Sequence, residues 1–162
     1  MTPSTDRRAL GGRGIALVLL GTALVVASLV ALTWYSVTAK ADVAGNGFTF
    51  PDLRANADQL NAPVASAYFD WLAWALVIGA AVVGIVANIP TRAADVLRVL
   101  GFLAGVAGVI GTYYAMAQLF YAQHAAGGST HGVWHNSNLG LWCALAGFAL
   151  LAIGAVWGPG RA

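Results

Sequence analysis

Four runs of this chain contain no Asp, Glu, Lys or Arg: Ile15 to Trp34, Trp71 to Ile89, Val99 to Tyr121 and Leu139 to Trp157. At about 1.5 Å rise per residue, a helix of ~20 residues covers ~30 Å, the hydrocarbon thickness of a bilayer. The runs do not alternate apolar with polar residues, as barrel strands must. One such run could be a buried helix of a soluble domain, but four could not. Only 9% of the 162 residues are charged and 59% are hydrophobic, against about 25% charged in an ordinary soluble domain. The expected fold is an all-α, antiparallel bundle of four transmembrane helices forming a single domain over 1–162. The expected helices are 15–35, 68–89, 98–121 and 139–157, with loops at 36–67 and 122–138.

Charge placement orients the chain. Arg7, Arg8, Arg13, Arg92, Arg98 and Arg161 fall on one side of the spans, with Asp6 and Asp95. Lys40 and Arg54 fall on the other side, with Asp42, Asp52, Asp58 and Asp70. The positive-inside rule then predicts cytoplasmic termini and two external loops. The Ala- and Gly-rich composition fits a bacterial plasma membrane. Arg7 and Arg8 before an apolar run, with Ala39-Lys40-Ala41 behind it, have the outline of a signal peptide. The run is too long for a signal core, so it is expected to remain as a helix. The basic bias reflects topology. No basic cluster is interleaved with aromatics, and nucleic acid is not an expected partner.

Small residues four apart return to one helix face and let backbones approach, which matters where lipid removes the hydrophobic drive for association. The pairs are Ala23, Ala27 and Ala31; Ala75 with Gly79; Ala80 with Gly84; Gly101 with Gly105; Ala104 with Gly108; Gly140 with Ala144; and Gly154 with Gly158. Gly79, Gly84, Gly101, Gly105, Gly108, Gly140 and Gly154 are therefore expected packing positions. The third helix, with two such ridges, is expected at the centre of the bundle. Thr22, Ser28 and Thr112 are expected to bond the preceding helical turn. The single Cys143 is expected to be a small apolar filler.

The first external loop is long for a structureless one. Leu53, Ala57 and Leu60 fall at helical spacing, which predicts a short amphipathic helix over Asp52 to Leu60. Phe48 and Phe50 would pack beneath it. Aromatic residues crowd the external boundary, as Trp and Tyr do at headgroups. Trp71, Trp74, Trp134 and Trp142, with Phe48 and Phe50, are the expected contacts for lipid or a partner protein.

The second external loop carries His124, His131 and His135, three imidazoles able in principle to ligate a metal or haem. No Cys, Asp or Glu accompanies them between 122 and 138, and no His lies inside a span. No cofactor is therefore expected. Ser137 or Asn138 is placed to cap the fourth helix. Loop 1 is expected to fold over the mouth of helices 3 and 4, bringing a histidine near a loop-1 aspartate or carbonyl.

No nucleotide, hydrolase or metalloprotease motif is present. Pumps and ion-coupled transporters keep ionisable groups inside the membrane, and these runs contain none. The function expected first is a non-catalytic accessory subunit or assembly factor, with other integral membrane subunits and lipids as partners. The alternative is a binder of lipid or hydrophobic ligands, with a groove between helices 2 and 4. A histidine-based metal or haem protein comes third.

Overall fold

The computed structural model describes residues 12–36, 47–126 and 137–157. Four helices in it are long and apolar enough to cross a membrane: Gly12–Ala31, Pro63–Ala87, Ala94–Ala125 and Leu139–Val156. They form the expected four-helix bundle, and the chain is a multi-pass membrane protein. The element order is α1 (Gly12–Ala31), β1 (Thr33–Ser36), β2 (Gly47–Thr49), α2 (Phe50–Gln59), α3 (Pro63–Ala67), a π-turn (Tyr68–Leu72), α4 (Ala73–Ala87), α5 (Ala94–Ala125) and α6 (Leu139–Val156). The helical segments from α3 to α4 form one continuous second span. It starts at Pro63 because proline has no N–H to lose in a first turn, five residues before the expected start.

Contacts run from α1 to α6, α6 to α5, α5 to α4 and α4 back to α1. A further contact joins α4 to α6, so spans 2 and 4 lie on the short diagonal. The fourth span, not the third, is the central helix. Half of its apolar window is buried, against 22% for the third. The reason is a seven-residue ladder of small residues. Gly14, Gly21 and Ser28 on α1 run antiparallel to Gly154, Gly147 and Gly140 on α6. A Cβ on Gly21 would lie 2.6 Å from the Gly147 carbonyl oxygen, and one on Gly154 would lie 2.9 Å from that of Gly14. At the third rung the Ser28 hydroxyl donates to the Gly140 carbonyl at 2.8 Å. A strict step of seven keeps one seam at an interface between paired helices. The backbones then approach closely enough for Cα–H···O contacts.

This seam corrects the expectation for α1, because Ala23, Ala27 and Ala31 are exposed. Gly79 is exposed too, with nothing within 4 Å of a Cβ placed there. The other expected packing glycines face neighbours: Gly84 meets Val18, Gly101 meets Ala155, Gly105 meets Ala152, Gly108 meets Phe148, and Gly140 meets Trp34 and Thr33. Gly158 lies outside the described residues. Thr22 and Thr112 bond the preceding turn as expected, at Val18 and Gly108. Ser28 departs from that pattern by reaching across to span 4.

Candidate functional site

The end of the bundle near Trp34 carries a folded cap. The first span stops at Ala31, four residues before its expected end. Thr33–Ser36 turns instead into a strand, a conformation suited to β-branched and aromatic residues. It pairs antiparallel with Gly47–Thr49, with an irregularity between Thr33 and Tyr35. Trp34 sits at that irregularity, where its side chain is fully buried. Its indole N–H donates to the Ser28 carbonyl at 2.8 Å. Its ring packs on Phe50 at 5.4 Å and edge-on to Phe69 at 5.9 Å. The Trp34 carbonyl accepts the Asn138 N–H at 3.0 Å, tying the cap to the start of α6. The Asn138 side chain donates to the Ser36 hydroxyl at 2.6 Å. Asn138 is the N-cap residue of α6, as expected, but makes no side-chain cap bond there.

The amphipathic helix of loop 1 is present as α2, with Phe50, Leu53 and Ala57 buried. Its start is fixed by Thr49, whose N–H and hydroxyl both donate to one oxygen of Asp52, at 2.9 and 2.6 Å. These bonds hold the Asp52 carboxyl below its ordinary pKa of 3.8, the side-chain bond being the larger cause. α2 rests on β2, α3 and the π-turn and touches α1, so it covers spans 1 and 2. The ribbon reaches the other two spans: β1 packs on α6, and Tyr35 shares a small cavity with Met116, Leu119, Phe120 and Gln123 of α5. Loop 1 thus does lie over the bundle, with the ribbon rather than the helix above helices 3 and 4.

The expected contact residues separate into two sets. Phe50 belongs to the buried aromatic cluster, and Phe48 packs on Tyr35 at 6.3 Å. Trp71 and Trp142 project outward, 58% and 51% exposed, and Trp74 is half-buried. Trp71 and Trp142 stand on spans 2 and 4, which touch each other across the bundle. Trp134, His131 and His135 lie outside the described residues. His124, near the end of α5, is stacked on Phe120 at 6.4 Å and 16°.

The described aspartates of loop 1 have other partners: Thr49 for Asp52, Ser66 for Asp58 and Arg54 for Asp70. Asp42 is outside the description. Among the described residues no group of three or more His, Cys, Asp or Glu could hold a metal.

Cross-bundle contacts set heights along the spans. Ala65 N–H donates to Gln118 at 2.8 Å, and the Tyr68 hydroxyl bonds Thr112. On the other side of α5, Gly108 faces Phe148 and Gly105 faces Ala152. Counted along the antiparallel helices, Gly84 beside Gly101 puts Trp71 opposite about residue 114, and Phe148 beside Gly108 puts Trp142 opposite about residue 114, so Trp71, Tyr113, Tyr114 and Trp142 lie at about one height. All four are at least half exposed. Trp and Tyr are the residue types that favour the headgroup level of a bilayer. Beyond that height α5 continues to Ala125, for roughly ten residues or about 15 Å, and carries Tyr121 and His124.

Sequence reading missed the residue that joins three spans at the other end. Asn88 follows α4 and is fully buried. Its amide nitrogen donates to the Gly84 carbonyl at 2.8 Å and to the Gly154 carbonyl at 3.0 Å. Both carbonyls belong to the last turns of their helices, where intrahelical donors run out. Its oxygen has no hydrogen-bond donor among the described residues and faces Gly14, in the first turn of α1, where helix-end charge is positive. One carboxamide thus serves two helix C-termini and one N-terminus. The signal was a lone Asn at the end of an apolar run, two residues before Pro90.

Comparison with protein families, with curated proteins and with solved structures found no match. The class defined by fold and cap is that of a multi-pass α-helical membrane protein, a tight four-span bundle with an ordered cap at one end.

Proposed function

We propose that this protein is a non-catalytic accessory or assembly subunit of a larger membrane complex. It acts in a bacterial plasma membrane, with the Asn88 end and both termini in the cytoplasm. The observation that carries this reading is a surplus of small residues on the outer surface. The internal close approaches are served by the Gly14–Gly154 seam and by Gly84, Gly101, Gly105 and Gly108. Ala75 and Gly79 on span 2, and Ala23 and Ala27 on span 1, take no part in them and are exposed. On span 2 they share a face with Trp71, Ile78 and Val82, all exposed. A surface of this relief accepts another helix closely, and van der Waals packing is what associates helices in lipid. Arg13 and Arg92, exposed at the Asn88 end, support the orientation.

The test is extraction in a mild detergent followed by identification of whatever copurifies. A defined set of integral membrane proteins is expected, lost from a Gly79→Leu variant that melts like the parent. A protein that purifies alone, or only with itself, would overturn the reading.

A further inference from the structure

An ion pair between the cap and a span stands at an unusual height. Arg54 of α2 meets Asp70 of the π-turn at 2.9 Å, with the two side chains 52% and 45% exposed. Asp70 directly precedes Trp71, and so lies at the level of Trp71, Tyr113, Tyr114 and Trp142. Exposed Trp and Tyr residues gathered at one height are what anchors a span at lipid headgroups. The pair is therefore presented to lipid headgroups rather than to bulk water. The contact uses one guanidinium nitrogen and one carboxylate oxygen. Arg54 keeps further N–H donors and Asp70 keeps a second acceptor oxygen.

We propose that Arg54 and Asp70 form a docking site for a phospholipid whose headgroup carries both a phosphate and a primary ammonium, as in phosphatidylethanolamine. The phosphate lies against the spare Arg54 donors, and the ammonium donates to the free oxygen of Asp70. Charge complementarity favours this occupant over the alternatives. A purely anionic headgroup would meet the Asp70 carboxylate. A quaternary ammonium has no N–H to give it. Charge-assisted hydrogen bonds are the strong ones, and they are strongest where water is scarce. Below the pair, Trp71 and the exposed Ile78 offer an apolar wall to an acyl chain. The π-turn is what brings Asp70 round to Arg54: an extra residue per turn shifts side chains around the axis, and such turns recur at functional sites. The site shares Trp71 and Ile78 with the span 2 face proposed above for a partner helix, and its test reads lipid on the chain without a partner.

The experiment reconstitutes the full chain in vesicles containing equal parts of phosphatidylethanolamine, its mono- and dimethyl derivatives, phosphatidylcholine and phosphatidylglycerol. Lipid retained after gentle extraction is then read by native mass spectrometry. Retention is expected to fall with each methyl added to the nitrogen and to be least for the choline and glycerol lipids. Equal retention across the series overturns the proposal, and this arm requires no variant. Asp70→Asn should erase discrimination among the nitrogen-bearing lipids, and Arg54→Gln should lower retention of all of them. Discrimination that survives Asp70→Asn in a protein with parental helicity also overturns it.

Discussion

The Ser28 hydroxyl donates to the Gly140 carbonyl at 2.8 Å, and the Ser28 carbonyl accepts from the Trp34 indole at 2.8 Å. One residue thereby closes the last rung of the span 1–span 4 seam and anchors the aromatic cap to it. The close approach along the seam and the fixed position of the cap are one structural fact. Disturbing the seam should therefore loosen the cap.

Gly21→Val puts a branched side chain where a Cβ would already lie 2.6 Å from the Gly147 carbonyl oxygen. Overpacking of this kind costs about 1–3 kcal/mol. A lowered melting temperature in detergent is expected, together with increased fluorescence quenching of Trp34. The control is Gly79→Ala, where nothing lies within 4 Å. It should be neutral or stabilising by up to ~1 kcal/mol, because alanine orders more readily into a helix. Equal losses from the two would refute the seam.

Asn88→Leu removes the donor shared by the Gly84 and Gly154 carbonyls. Leaving buried acceptors without partners costs about 1–3 kcal/mol. Asn88→Asp keeps the shape but turns a donor into an anion facing two helix C-termini, where negative charge is unfavourable. It should be the less stable of the two at neutral pH and should recover as the new carboxyl is protonated. Chemical denaturation in mixed micelles at two pH values would check the order.

Tyr68→Phe and Thr112→Val break the same buried contact from opposite sides. After Tyr68→Phe the Thr112 hydroxyl still donates to Gly108 at 2.7 Å, so the loss should be ~0.5–1.5 kcal/mol. After Thr112→Val the Tyr68 hydroxyl is left buried without that partner, and the loss should reach ~1–3 kcal/mol. A double-mutant cycle should show clear coupling between the two, and additive effects would contradict it.

At the start of α2, Asp52 has its pKa lowered by the two Thr49 bonds. A carboxyl with a depressed folded pKa contributes stability above its ordinary value of 3.8. The contribution disappears as pH falls through the lower folded value. Asp52 is exposed and water screens it, so the effect is a cap-sized one of about 0.5–1 kcal/mol. Thr49→Ala should raise the Asp52 pKa in an NMR titration and increase protease cleavage near Arg54. An unmoved titration would show that the cap bonds are absent in solution.

The spans and the amphipathic α2 were legible in the sequence because uninterrupted apolar length and the Leu53, Ala57 and Leu60 spacing have single structural meanings. The central helix was not. Steps of four in the sequence suggest packing faces, whereas α1 uses steps of seven: Gly14, Gly21 and Ser28. Ala23 and Ala27, equally small, face outward. A small residue shows that a helix can approach, and only the partner's matching ladder shows where. The ribbon was hidden because Trp34 and Tyr35 continue the apolar run of α1. Their departure from the helix depends on partners distant in sequence, Gly47–Thr49 and Asn138. Asn88 was overlooked because its role lies in three helix ends that meet only in the folded chain.

A small-residue face of span 2 that receives another membrane protein must lie within cross-linking reach of it. The most direct measurement places a photoreactive residue at Ala75 or Gly79 in turn and irradiates intact membranes, with Gly21 in the seam as the internal control. The predicted result is a cross-linked species of one defined mass, containing this chain and a different integral membrane protein, from Ala75 and Gly79. From Gly21 only intramolecular products should form. Cross-links to lipid alone, or only between copies of this chain, would contradict the claim.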